Sequence, residues 1–358
     1  MAGRVFILDC GDEPTAFHER QRNEALARLI AQIKGCRFGG KYDSRDEQEP
    51  GRPYFVPHKT FVGVDAAAAM GIRGPDDLYG GVVPEWFIAT KAAVHELIRA
   101  DATHPQRWNN DLAKSIPEYL LPGYTAFTSN DAYEAGIRLL ELGTIRAKDV
   151  FAAGGKGQIV VRNAAELSHA LQKFPVVLEL NLEEVTTYSI GLLQLDGITV
   201  SYWGTQRTTT DNKGETVYGG SDLHLVRGGL EDGTAIALTR EAKRAVRAAK
   251  AFDAAALAHY PEIFASRRNY DVAQGRDSRG SVHCGVIDQS WRIGGNSGVE
   301  ILALRIFKDR PEVRLIDGSS FNVYGSGAVA PSEATVHFRG IDDRGGPMLT
   351  YTRIERVR

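Results

Sequence analysis

The sequence predicts a mixed α/β protein of α+β type, built as three successive units over residues 1–85, 86–187 and 188–358. Three observations predict it. In the first unit, short apolar runs bounded by Gly and Pro alternate with one amphipathic helical pattern. In the second, two capped helices separate apolar strands. The third is rich in strand patterns and holds one long helix. A chain of 358 residues has ample length to bury a core in each unit.

Residues 4–8 read as a buried strand and 16–34 as a helix, with Leu26, Leu29, Ile30 and Ile33 on one face and Gly35 as its stop. Tyr54-Phe55-Val56 and Phe61-Val62-Gly63-Val64 are further strands. In the second unit, 88–99 is expected as a helix and 100–120 as polar and irregular. The 129–143 helix is well signalled, capped by Ser129, Asn130 or Asp131 and ended by Gly143. An extended segment at 144–152, a Gly-rich turn and the strand 158–162 follow, and Asn163 with Glu166 then opens another helix as a capping box. Val176–Leu180 is a strand. The third unit has strands over 189–227, a helix over 240–258 capped by Thr239, a hairpin at 268–290 and a helix near 297–308. Its tail, 335–358, is expected to add edge strands.

Lys and Arg (43) nearly balance Asp and Glu (45), and a formal charge of -2 argues against a nucleic-acid or acidic-membrane binder. Three scattered cysteines, Cys10, Cys36 and Cys284, make neither a disulfide framework nor a zinc signature, and fit a reducing cytoplasm. No signal-peptide pattern and no apolar stretch of membrane-spanning length is expected.

Gly is the compositional excess, 38 residues, and its clusters are where chemistry is sought. Gly154-Gly155-Lys156-Gly157-Gln158 puts an ammonium among glycines whose N–H groups can approach phosphate oxygens. It is no P-loop, since no Ser or Thr follows the Lys and a strand, not a helix, comes next. A strand–loop–strand flap results, with Lys148 on the strand before it as a second ammonium. Asp271 and Asp288 are single acids inside apolar strand patterns, brought near each other by a turn at about 277–280. Such a pair suits magnesium; the alternative is a structural ion pair with Arg268 or Arg292 for each. Arg292 precedes a Gly-rich strand-to-helix turn suited to anions, and Glu300 is expected to serve that helix's dipole. The histidines form no ligand pattern, the charged loop 43–52 is a solvated loop, and no nucleophile elbow is present. Trp203–Arg207 and Tyr218–Asp222 are either pocket linings or hairpin corners.

Taken in order, these features resemble the ATP-grasp superfamily over roughly residues 85–310, with a similar preceding α/β domain. The carriers are Thr90-Lys91-Ala92-Ala93, Tyr124–Phe127, Lys148, Gly154–Gln158, Leu178–Leu182, Tyr270-Asp271 and Asp288–Arg292. Gly-Gly-Lys-Gly-Gln, Ser-Tyr-Trp-Gly-Thr-Gln, Tyr-Gly-Gly-Ser-Asp-Leu and Gln-Ser-Trp-Arg-Ile-Gly-Gly resemble, more narrowly, a bacterial family of unknown function with ATP-grasp character. The resemblance implies that Lys148, Lys156 and the glycines 154, 155 and 157 hold ATP phosphates. It implies an adenine hinge at Glu179 and Leu180 lined by Leu182, with Glu183 or Glu184 reaching ribose. Asp271 and Asp288, helped by Ser290, would bind Mg2+, and Arg292 would steady the transferring phosphoryl group. Arg207, Ser221, Asp222 and Asn296 are the expected substrate contacts.

The activity implied is a cytoplasmic carboxylate–amine ligase working through an acyl phosphate, with small-molecule acid and amine as partners and a homodimer left open. A phosphotransferase or a non-catalytic nucleotide sensor are the alternatives. Three positions depart from the superfamily's pattern: Asp149 stands for its usual Pro, Asp288 for Glu and Ser290 for Asn. Thr186 falls near the expected ribose acid.

Overall fold

The computed structural model describes residues 3–10, 15–43, 51–233 and 238–358; positions 44–50 of the charged loop read at 43–52 therefore lie outside the described residues. The chain opens on β1 (Arg4–Leu8), whose Val5, Phe6 and Leu8 are buried, and α1 (Phe17–Ile33). β2 (Arg37–Lys41) and β3 (Pro53–Pro57) flank β1 in parallel, and α1 covers this sheet with Leu26, Ala27, Ile30 and Ile33. β4 (Phe61–Val62), α2 (Val64–Ala69) and β5 (Gly81–Val83) complete the segment, so the expected strand at 61–64 stops two residues early.

Residues 88–99 do not form the expected helix. They make two short 3-10 turns, Trp86–Ala89 and Lys91–Val94, parted by an extended Thr90 at φ -131° and ψ 167°. A continuous helix would have spent the carbonyls of Ile88 and Thr90, which instead accept hydrogen bonds from the buried Gln289 amide. α3 (Asp111–Lys114), β6 (Gly123–Ala126) and α4 (Ser129–Leu140) follow, the last capped by the Thr128 hydroxyl, which accepts the Asp131 N–H. Then come β7 (Ile145–Asp149), β8 (Gln158–Val161), α5 (Ala164–Ala170) and β9 (Val176–Leu180). The four strands make an antiparallel sheet in the order β6-β9-β7-β8, and α4 and α5 bury its outer face against Ile145, Ala147, Val161 and Leu178. Alternation leaves Arg146, Lys148, Val177 and Glu179 on the inner face.

β10 (Glu183–Leu195), β11 (Ile198–Thr210) and β12 (Thr216–Arg227) are long antiparallel strands, followed by α6 (Leu230–Gly233) and α7 (Arg240–His259). β13 (Phe264–Ala265) joins β5, while β14 (Arg267–Arg276) and β15 (Val282–Ser290) form the expected hairpin. α8 (Ser297–Asp309), β16 (Leu315–Tyr324), β17 (Thr335–Asp342) and β18 (Gly346–Val357) end the chain. The large sheet runs β15-β14-β10-β11-β12-β16-β18-β17. In the tail only β17 is an edge; β18 lies inside because it pairs with both β16 and β17. α7 packs Val246, Ala249 and Phe252 on one face against Ile190, Tyr270 and Val272. α8 packs Val299, Leu304 and Phe307 on the other, against Leu193, Val200 and Leu225.

Candidate active site

One wall of the site is the inner face of the four-stranded sheet. There the Lys148 ammonium pairs with the Glu179 carboxylate, both residues 3% exposed, and His95 Nε2 lies 3.2 Å from the other carboxylate oxygen. Burial alone would raise the Glu179 carboxyl; Lys148 and His95 outweigh it and hold the carboxyl below its ordinary range. Arg146 donates to Gln158 Oε1 (3.1 Å) and Asn181 Oδ1 (2.7 Å) on the same face. Leu180 and Leu182 are buried, Leu182 among Leu121, Ala273 and Ile287. Glu183 is exposed, and Glu184, at φ 50°, is exposed with its nearest cation, Arg276, 3.6 Å away; neither joins the others.

The facing wall is the β14–β15 end of the large sheet. The hairpin sets Asp271 directly opposite Asp288 in register, so both carboxylates project from one face. Ser189 Oγ (3.2 Å) and Asn269 Nδ2 (3.0 Å) donate to Asp271 Oδ1. Burial raises the Asp271 carboxyl, and the neighbouring Asp288 raises it further. Neither acid takes an arginine partner as the structural alternative required: Arg268 pairs with Asp253 (3.2 Å) and Arg292 donates to the Ile293 carbonyl (2.9 Å). Asp288 instead has Lys91 Nζ 3.7 Å away. Ser290 shares the face of Asp288 by strand alternation, and its carbonyl is held by Arg267 Nη1 at 3.0 Å. Two facing carboxylates, with the Ser189 hydroxyl and the Asn269 amide against Asp271 and no sulfur or imidazole beside them, form a donor set that fits magnesium. Among the described residues no third His, Cys, Asp or Glu joins them.

Between the walls lies the flap. Gly154 and Gly155 adopt φ 67° and 86°, a region open to glycine, and Gly157 φ 65°, which turns β7 back into β8. Phe151 at its base stacks on Trp86 with centroids 5.6 Å apart, and the Lys91 ammonium donates to the Ala152 carbonyl (2.6 Å). Lys156 is exposed at the tip. The Gly154 carbonyl accepts the Tyr218 N–H (3.3 Å), which docks the flap on β12. From Tyr218 a polar chain leads to the acids: its hydroxyl donates to Asn296 Oδ1 (3.0 Å) and meets Ser221 Oγ (2.8 Å). Asn296 Nδ2 then reaches Asn269 Oδ1 (3.3 Å), and Asn269 holds Asp271. A hydrogen-bonded chain thus links the flap to Ser221, Asn296 and Asp271.

Arg207 and Asp222 lie outside it. Register puts Gln206 and Ser221 on the acid face, and Gln206 Nε2 donates to Ser189 Oγ (2.9 Å); their neighbours Arg207 and Asp222 project from the opposite face. There they pair with each other beside a depression of about 420 Å³ lined also by His224, Asp317 and Phe321.

Sequence reasoning missed Lys91 and His95. Lys91 sits in an Ala-rich segment, a poor place for an unpartnered ammonium, which was the available signal. It also misassigned Glu300, expected to serve the helix dipole. The residue is fully buried and takes a bidentate bond from Arg267 (3.0 and 2.7 Å), while Tyr79 OH donates to it (2.5 Å).

The chain belongs to the family described as "Protein of unknown function (DUF3182)", whose model matches residues 7–352. No curated protein matches it. Among solved structures it is similar to N5-carboxyaminoimidazole synthase from Aspergillus clavatus in complex with ADP and 5-aminoimidazole ribonucleotide. That likeness has a TM-score of 0.53 at 13% identity and covers 99% of this chain and 94% of the other. The same fungus's carboxyaminoimidazole ribonucleotide synthase complexed with ATP gives a TM-score of 0.51, 13% identity and 99% and 94% coverage. N5-carboxyaminoimidazole synthetase from Staphylococcus aureus gives 0.50 at 12% identity, covering 98% and 93%. The fold is that of the ATP-grasp proteins, nearly end to end. Among the described residues, no helix is long and apolar enough to cross a membrane.

Proposed function

We propose that the chain is a magnesium-dependent ATP-utilising ligase that activates a small carboxylate and passes the acyl group to an amine. The observation that supports this is the hydrogen-bonded link between the glycine flap and the acid pair: the flap docks through Gly154 on Tyr218, and Tyr218 is linked through Asn296 and Asn269 to Asp271. A glycine loop and an acid pair facing one space are what a polyphosphate needs from a protein.

In this scheme Lys156, Lys148 and Lys91, with the N–H groups of Gly154, Gly155 and Gly157, surround the phosphates. Glu179 and Leu180 form the adenine hinge with Leu182 beneath it; Glu184, turned toward Arg276, is left out. Asp271 and Asp288, with Ser290 beside them, would hold Mg2+, which when bound neutralises phosphate charge. A carboxylate oxygen of the substrate attacks the γ-phosphorus, and the bond to the β–γ bridging oxygen breaks, releasing ADP. The amine nitrogen then attacks the acyl carbon, phosphate leaves, and the nitrogen gives a proton to solvent. Arg292, fixed through its carbonyl by Arg267 Nη1 (2.7 Å), faces charge spread over the transferring group. Ser221 and Asn296 contact substrate at the cleft floor.

The test is ADP release by the whole chain against pools of small acids and amines, with mass detection of product. Release that requires both an acid and an amine is expected, and Lys156→Ala should suppress it. A stable phosphate ester formed with one acceptor would indicate a phosphotransferase. Absence of any ATP-induced rise in melting temperature would remove nucleotide chemistry altogether.

A further inference from the structure

The Lys91 ammonium touches two parts of the site at once. On one side it bonds to the main chain where β7 runs into the flap: the carbonyls of Ala152 (2.6 Å), Asp149 (3.4 Å) and Val150 (3.5 Å) accept from it. On the other, its Nζ stands 3.7 Å from Asp288 Oδ2 in the acid pair. The second Asp288 oxygen is taken by the Gln289 N–H (2.9 Å). Lys91 is 6% exposed, so these contacts are only weakly screened by water.

The strand that carries Asp288 also fixes the segment that carries Lys91. Gln289 points to the other face of β15, and its amide donates to the carbonyls of Ile88 (2.8 Å) and Thr90. Thr90 Oγ1 then accepts the Ala92 N–H (3.3 Å) and caps the short turn Lys91–Val94. The main chain at Lys91 is thereby anchored to β15, while its side chain reaches from β15 to the base of the flap.

Two kinds of partner compete for this one charge. The Asp288 carboxylate draws the ammonium toward the acid pair, and three neutral carbonyls draw it toward the flap. A divalent cation on Asp288 has the same sign as the ammonium, so it both satisfies the carboxylate and repels Lys91. The three flap carbonyls are then the acceptors left to the ammonium among the described residues.

We infer that Lys91 is a positioning residue coupling the acid pair to the flap: metal on Asp271 and Asp288 commits the ammonium to the carbonyls of 149, 150 and 152 and tightens the flap before nucleotide arrives. This rests on the magnesium reading of the acid pair and adds the regulation of that site. The coupling is reciprocal, since a flap that holds Lys91 frees Asp288 for the metal.

Trypsin tests it. Lys156 is exposed at the flap tip, so cleavage after it, read by mass as the fragment 1–156, reports how often the flap lifts. The full chain is digested briefly in calcium-free buffer at constant ionic strength, without nucleotide, with and without magnesium chloride; calorimetry measures magnesium binding separately. Magnesium should slow cleavage after Lys156 about fivefold relative to cleavage elsewhere, the lower end of coupling between two sites. Lys91→Met should bind magnesium and show no slowing, and Lys91→Arg, which keeps the charge, should restore part of it. Should Lys91→Met not fold, Asp288→Asn decides: it frees the ammonium without metal, so cleavage should already be slow and indifferent to magnesium. Magnesium binding without slowed cleavage, equal slowing in Lys91→Met, or Asp288→Asn digested as fast as metal-free wild type overturns the coupling and leaves the magnesium reading standing. No magnesium binding to the wild type overturns both.

Discussion

Replacing Lys148 with Met should unfold the small sheet's inner face before it says anything about nucleotide. The ammonium and the Glu179 carboxylate have side chains only 4% exposed, so K148M leaves a buried carboxylate with His95 at 3.2 Å as its remaining partner. Breaking a buried pair costs about 3–5 kcal/mol, and with His95 retained the lower end, about 3 kcal/mol, is expected. For domains of this size that is roughly 6–12 °C in melting temperature. K148M/E179Q removes the stranded charge as well and should recover about half of the loss.

The pH dependence has a defined sign. In the wild type the Glu179 carboxyl is held low, so its stabilisation is present above the ordinary carboxyl range and lost as pH falls through its lowered folded value. In K148M, burial opposed by His95 alone raises it, so the penalty grows as pH rises above about 4.3. The wild-type and variant curves must therefore converge on acidification. Urea unfolding followed by tryptophan fluorescence at pH 7.5 and at pH 5 measures this. A K148M within 1 kcal/mol of wild type at pH 7.5, or a gap that ignores pH, would refute the reasoning.

Further outcomes are expected elsewhere. The Asp271 carboxyl is raised by burial and by Asp288, so the metal-free protein should gain stability as pH falls from neutral toward the ordinary carboxyl range. Asp271→Asn should flatten that gain and abolish stabilisation by added magnesium, read by thermal melts in chelator and in magnesium. Glu300→Gln strands Arg267 in the core and should cost about 3–5 kcal/mol, whereas R267M/E300L should be markedly less destabilised; chemical denaturation compares them. Gly154→Ala, forced to φ 67°, should cost the flap's local conformation about 1–2 kcal/mol and weaken nucleotide binding severalfold while global unfolding stays unchanged. Titration with a fluorescent ADP analogue beside a urea curve separates the two.

Much of this was legible in the sequence where local pattern and chemistry coincide. A lysine among glycines between two β runs could be little other than a turn, and acids inside apolar strands announced a partner. Lys91 and His95 were hidden because their meaning depends on which distant carbonyls and carboxylates they meet. The 3-10 turns at 86–94 follow from Gln289, far along the chain, claiming two carbonyls; helix periodicity within the segment carries no trace of that. Arg207 and Asp222 failed for want of register: one step along a strand exchanges its faces, and the β11–β12 pairing is irregular between Arg207 and Thr208.

That irregularity has a consequence for the lid. Thr208 pairs with Tyr218 and Arg207 with Gly220, so Gly219 is an odd residue that buckles β12. At Gly220, φ is 126°, and an added methyl would sit 1.9 Å from the Ser320 carbonyl oxygen. The buckle thus tolerates no side chain at its crest, and it lies immediately beside the amide on which the flap latches. Tyr218 works as a two-sided catch, its main chain holding the flap and its phenol braced against Ser221 and Asn296. A larger residue at position 220 would spring that catch without altering any residue proposed to meet a nucleotide.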